Sequence, residues 1–125
     1  MESGDKYLNR EKKVWKLDKI EEGWQNKPDT AELKCDICST WKNHWEKLYE
    51  QELSVKRKFD GQTCASNKNP NTKKPCTNDA EDGAHVVGFG KVWIAPLCSQ
   101  CNHPTNTDFF PLKAGTVIVD ARPCK

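Results

Sequence analysis

Apolar positions in this chain come in short bursts inside long polar stretches, and each burst has its own period. Between residues 5 and 22, Tyr7, Leu8, Val14, Trp15, Leu17 and Ile20 recur at loosely helical spacing among eleven charged residues. That pattern predicts a charged amphipathic helix in an N-terminal arm, 1–32, ended by Gly23 and a turn at Asn26-Lys27-Pro28-Asp29. The next burst is Trp41, Trp45, Leu48, Tyr49 and Leu53. These positions fall on one stripe at 3.6-residue spacing, so a second helix is expected in 33–60, with Ser39 or Thr40 as its cap and His44 on its flank. The third region, 61–125, changes period. Ala84 to Gly88 and Lys91 to Ala95 read as two strands turning at Gly88-Phe89-Gly90, and Thr116 to Val119 as a closing strand after Gly115. Cys98 to Asn106 reads as a tight turn leading into a short helix, limited by Pro104. Residues 66–75, polar with two prolines, read as an exposed excursion. The expected fold class is small α+β, one compact domain.

Composition raises the question of what holds such a fold together. Hydrophobic residues are 35% of the 125 and charged residues 30%, and mean hydropathy is −0.89. A chain this polar buries little apolar surface, so a second source of stability is expected. Lysine and arginine number 20 against 18 acids, a net charge of +2, which argues neither for nor against an anionic partner. Nothing approaches the length of an apolar membrane span, and Met1 to Leu8 has no apolar leader, so an intracellular location is expected.

The seven cysteines supply the candidate. Cys98-x-x-Cys101 is a turn whose two thiolates can grip one ion, and Cys64 with Cys76 closes the tetrahedron. Four thiolates leave no open coordination position, so this is a structural Zn²⁺ site. Such a site contributes on the order of 10 kcal/mol, comparable to the whole net stability of a domain. Cys35-x-x-Cys38 is a second pair, just before the predicted helix, where the helix N-terminus favours thiolate. A second Zn²⁺ there is completed by His44, His103 or Cys124. Disulfides are the alternative, and they imply a secreted protein with a removed leader; an odd count of cysteines fits full pairing poorly.

Cys64, Cys76, Gly83-Ala84-His85-Val86 and Pro96-Leu97-Cys98-x-x-Cys101-Asn102 together resemble the zinc-bearing HNH endonucleases of the His-Me finger class. The likeness covers 64–106. A longer one, over 64–121, is to small uncharacterised bacterial proteins with the same Gly-Ala-His-Val and Pro-Leu-Cys-x-x-Cys-Asn elements. The resemblance implies a treble-clef-like ββα module, with His85 as general base and Asn102, His103 or Asn106 near a metal-ligating position on the helix. Ala84 stands where that family has an aspartate, and Asp79, Glu81, Asp82 and Asp108 are not placed by the pattern.

The reading this supports is a non-catalytic, zinc-stabilised binding module for nucleic acid or a protein partner. Lys56, Arg57, Lys58, Lys68, Lys73 and Lys74 provide local positive charge. A divergent metal-dependent nuclease using His85 is the alternative. Of the five tryptophans, Trp41, Trp45 and Trp93 read as core; Trp15 and Trp24 either pack or stack on a ligand, packing being the ordinary role.

Overall fold

The hairpin that the sequence announces is the centre of the structure. A computed structural model describes residues 13–27 and 38–122. Strands β3 (Asp82–Gly88) and β4 (Lys91–Leu97) pair over their full length, from Asp82 opposite Leu97 to Gly88 opposite Lys91. Only Phe89 and Gly90 link them, both at positive φ, 53° and 74°. This left-handed pair matches the strands' own twist. Phe89 holds the uncommon conformation while its ring packs 5.2 Å from Trp15 and 5.4 Å from Trp24.

Around the hairpin lie β1 (Val14–Lys16), β2 (Glu21–Asn26), β5 (Phe110–Leu112) and β6 (Val117–Asp120). They form a six-stranded antiparallel sheet in the order β1-β6-β4-β3-β2-β5. The expected helix over 5–22 is therefore overturned from residue 13 onward; residues 1–12 lie outside the described part. The reason is a period of two that the charges hide. Trp15 and Leu17 enter one apolar cluster and Val14 the other, while Ile20, which a helical stripe needs buried, is 48% exposed. Gly23, expected to end a helix, instead sits at φ +86° between Glu21 and Trp24, where the pairing of β2 with β5 shifts register. Glycine takes that conformation without strain. The turn at Pro28 and Asp29 lies outside the described residues.

The one described helix, α1 (Trp41–Leu53), is where its stripe placed it. Thr40 caps it: its hydroxyl oxygen accepts from Asn43 N at 3.1 Å. Ser54 ends it in the left-handed conformation, its N–H donating to Glu50 O. The helix lies across one sheet face with Trp45 and Leu48 against Val14, Ile94, Val117 and Val119. Its first turn sits on Gly83, where a Cβ would come within 2.8 Å of the Trp41 carbonyl carbon. The other face carries the larger cluster: Trp15, Trp24, Trp93, Leu97, Leu112, Ile118 and four cysteines among its members. Central strands are thus buried on both sides, which is why Val117-Ile118-Val119 of β6 reads as an apolar run rather than an alternating one.

The module that the resemblance implies is present only in part. The ββ hairpin forms, but no helix follows Cys101 among the described residues; 98–109 is a series of turns leading to β5. Pro104 has no N–H to give a helix. The nearby side chains also take backbone partners of their own: Asn106 Nδ2 donates to Cys101 O at 2.8 Å. Among the described residues what stands is a small α+β fold of one helix on an antiparallel sheet, and no helix there is long and apolar enough to cross a membrane.

Candidate metal centre

Two backbone arrangements bring the four cysteines together. The first solves the eleven-residue gap between Cys64 and Cys76. Residues 62–66 run antiparallel to 76–80: Cys64 N donates to Asn78 O at 2.8 Å, Ala80 N to Gln62 O at 2.9 Å and Cys76 N to Ser66 O at 3.0 Å. The polar insert between them loops out and returns, as expected of its composition. The second is the end of β4, where the chain turns through Cys98-Ser99-Gln100-Cys101 and Asn102 N closes on Cys98 O at 3.0 Å. Ala65 N donates to Pro96 O at 2.8 Å and ties the two arrangements side by side.

The result is a cluster of Cys64, Cys76, Cys98 and Cys101, all buried, with their sulfurs within 4.8 Å of one another. Cys76 and Cys98 are 3.7 Å apart. Two ligands at 2.3 Å on a tetrahedral ion are about 3.75 Å apart, so this separation suits a shared cation. It is far from the roughly 2.05 Å of a disulfide, and all five described cysteines are unbridged. A group of four buried thiols of this shape can hold a metal ion.

The cluster's own electrostatics favour that use. The Cys101 thiol beside it lowers Cys64 to about 5, against the opposing effect of burial. Burial raises Cys98, and the hydrogen bond to Cys64 together with burial raises Cys101. Left to protons alone, the group gives up one readily and holds others. A dication replaces those protons, so binding releases protons and weakens as pH falls.

Amide side chains surround the sulfurs. Asn69 Nδ2 donates to Cys76 Sγ at 3.4 Å and to Gln100 Oε1 at 3.1 Å. Asn78 Nδ2 lies 3.6 Å from Cys98 Sγ and 3.1 Å from the same Gln100 oxygen. Lys113 Nζ donates to Cys76 O, and Asn26 Nδ2 to Cys101 O at 2.7 Å. Sequence reasoning missed these residues; the one available signal was the density of asparagines flanking the cysteines. Asn69 lies in the excursion expected to be exposed, yet it is 4% exposed.

The other candidate residues are dispersed. His85 projects from β3 toward α1, two positions from Gly83, and meets Trp41 edge-on at 4.6 Å. It is 6% exposed, and its buried Nε2 has no hydrogen-bond partner among the described residues. Burial first, then His44 and Lys27, push its pKa down to about 4. Asn102 Nδ2 donates to Asp82 Oδ2 at 3.2 Å, and exposed His103 turns its Nδ1 to Thr105. Neither adjoins His85 in any described contact. His44 is fully buried rather than on the helix flank, and Cys38 lies beside it. Cys35 and Cys124 lie outside the described residues. Trp15, Trp24 and Trp93 are all core, packed ring to ring with centroids 5.8 to 6.1 Å apart where Trp15 meets the other two. Comparison of the chain with protein-family models, with curated proteins and with solved structures returns no match.

Proposed function

We propose that this chain is a non-catalytic binding module, held together by a structural zinc ion at Cys64, Cys76, Cys98 and Cys101, whose partner is nucleic acid. Four thiolates are the ligand set of closed zinc sites, which leave no position for a reacting water. His85 serves as a packing residue: a general base needs reach to a proton on water or substrate, and Trp41 covers this imidazole on the inner side of α1.

The observation that carries the choice of partner is a groove of about 350 Å³ beside the metal cluster. Among the described residues its charged lining is Lys16 from β1, Arg57 from the loop after α1 and Lys113 from the turn after β5, with no carboxylate. Gln62, Thr63 and Thr116 add hydrogen-bonding groups, and Tyr49 adds a partly exposed ring. A near-neutral chain thus keeps cations from three separate elements on one concave surface, the local arrangement that phosphate contacts require. Lys113 also reaches the Cys76 carbonyl, so the groove and the metal cluster share a residue.

Fluorescence anisotropy with labelled single- and double-stranded oligonucleotides tests the proposal. The expected result is affinity that falls steeply with salt. Lys16→Ala with Arg57→Ala lowers the slope of log K against log salt by about 1.4 to 1.8, the loss of two phosphate contacts. Absence of binding at low salt removes nucleic acid and leaves a protein partner. Cleavage of DNA with Mg²⁺ or Mn²⁺ that disappears in His85→Ala contradicts the non-catalytic reading.

A further inference from the structure

His44 is an imidazole with no exposed surface, in a helix otherwise packed by tryptophan and leucine. Its Nε2 lies 2.7 Å from the backbone carbonyl oxygen of Asp120. A carbonyl only accepts, so Nε2 carries the proton and Nδ1 presents its lone pair. Nδ1 is turned to Cys38 Sγ, 3.9 Å away. Cys38 is itself buried, and the chain turns sharply after it: Ser39 has φ +71°, Thr40 N donates to Cys38 O at 2.9 Å and Asn43 Nδ2 to the same oxygen at 3.0 Å. The sulfur sits just ahead of the N-cap of a thirteen-residue helix, where thiolate is favoured.

From this geometry we infer that Cys38 and His44 are two ligands of a second metal ion, separate from the four-cysteine cluster. A sulfur at 2.3 Å and a nitrogen at about 2.05 Å on one tetrahedral ion are about 3.6 Å apart. The observed pair needs a shift of only a few tenths of an ångström. A ligating histidine donates its second ring nitrogen to a carbonyl or carboxylate, which fixes the tautomer and the ring plane; Asp120 O does this for His44. That carbonyl is itself anchored, because the Asp120 carboxylate is bound by Lys91 at 3.0 Å and Arg122 at 2.6 Å. Of the candidates for completing this site, His103 is excluded as the nearby nitrogen, being exposed and turned to Thr105. The chain offers two more cysteines that the first cluster does not use: Cys35, at the two-residue spacing before Cys38, and Cys124, four positions after Asp120. Both are outside the described residues, and the inference rests on Cys38 and His44 alone. The chemical class of ion is a borderline-soft dication such as zinc, bound by mixed sulfur and nitrogen.

The test is ¹¹³Cd NMR of the full chain loaded with cadmium alone. Two resonances of equal intensity are expected, one in the all-thiolate range and one shifted by a nitrogen ligand. The second should show scalar coupling to ¹⁵Nδ1 of His44, while Nε2 remains protonated. His44→Ala should leave the first resonance and lose the second, lowering the metal content from two ions to one. If that variant does not fold, the coupling in the unaltered chain decides. A single all-thiolate resonance overturns the second site and leaves the first intact; no bound cadmium at all sinks both. Cys38→Ser should likewise lose the second resonance and leave the first. A second resonance that survives His44→Ala or Cys38→Ser, or that is not coupled to His44, overturns the assignment.

Discussion

Removing the amide of Asn69 tests whether the cysteine cluster is built for an ion or merely packed. A dication among four thiolates leaves two net negative charges in a buried place, and such charge is tolerated only when hydrogen bonds disperse it. Asn69 supplies one, from Nδ2 to Cys76 Sγ at 3.4 Å. A hydrogen bond to a charged group is worth about 1.5 to 3 kcal/mol, so Asn69→Ala should weaken metal binding by roughly 10- to 100-fold, the usual effect of losing a residue that orients ligands. Asn78 is exposed and its contact is longer, 3.6 Å, so Asn78→Ala should cost about 1 kcal/mol, near fivefold. Both amides bond Gln100 Oε1, so the double variant should lose less than the sum. Asn69 also holds its loop, Oδ1 accepting from Asn71 N at 2.8 Å and Thr72 N at 3.3 Å. Asn69→Asp separates the two roles: it keeps the loop acceptor and turns a second anion toward the sulfurs. Its affinity should fall at least as far as that of the alanine variant. Competition against a chromophoric chelator at fixed pH measures the parent and all four variants. An Asn69→Ala protein within about twofold of the parent, or an Asn69→Asp protein that binds more tightly, would refute the reasoning.

Other outcomes follow from the packing. A Cβ at Gly88 would lie 2.4 Å from two ring carbons of Trp24, a residue with no exposed surface and neighbours on every side. Gly88→Ala should cost about 3 kcal/mol, the upper part of the overpacking range, and much less in a Trp24→Leu background; equal costs in the two backgrounds, by urea denaturation, would remove the steric explanation. His85 is buried neutral, its pKa depressed from 6.5 to about 4. Below pH 6.5 the unfolded chain takes up a proton that the folded chain refuses, so this residue's contribution is whole above 6.5 and lost as pH falls toward 4. The loss is on the order of 3 kcal/mol. His85→Leu should abolish that part of the acid sensitivity; a stability difference between parent and variant that does not change across this range would contradict it.

What the sequence made legible was whatever is written locally. The helix was visible because Thr40 and the stripe from Trp41 to Leu53 lie side by side in the chain. The hairpin was visible because Phe89-Gly90 is its own turn. The cysteine set was visible because Cys98-x-x-Cys101 has a spacing with one geometry. Strands β1 and β2 were not, since their partners are remote: Val14 pairs with Val119, and Trp24 with Phe110. Their short alternation is masked by lysines and glutamates, and tertiary pairing outweighs a weak helical spacing. Strand β5 was hidden by Pro111 at its centre, which still offers its carbonyl to Asn67 N at 2.8 Å. The burial of His44 was illegible for the same reason, because the strand that covers it ends at Asp120, 76 residues away. The groove of Lys16, Arg57 and Lys113 is likewise assembled from three distant segments.

The function proposed for this molecule rests on an ion held by Cys64, Cys76, Cys98 and Cys101. Metal analysis of the reduced, purified chain, with near-ultraviolet circular dichroism of its tryptophans followed during chelation, tests that claim most directly. The account predicts tightly held zinc whose removal collapses the tryptophan signal and whose return restores it. A metal-free chain that keeps the same folded spectrum would contradict it.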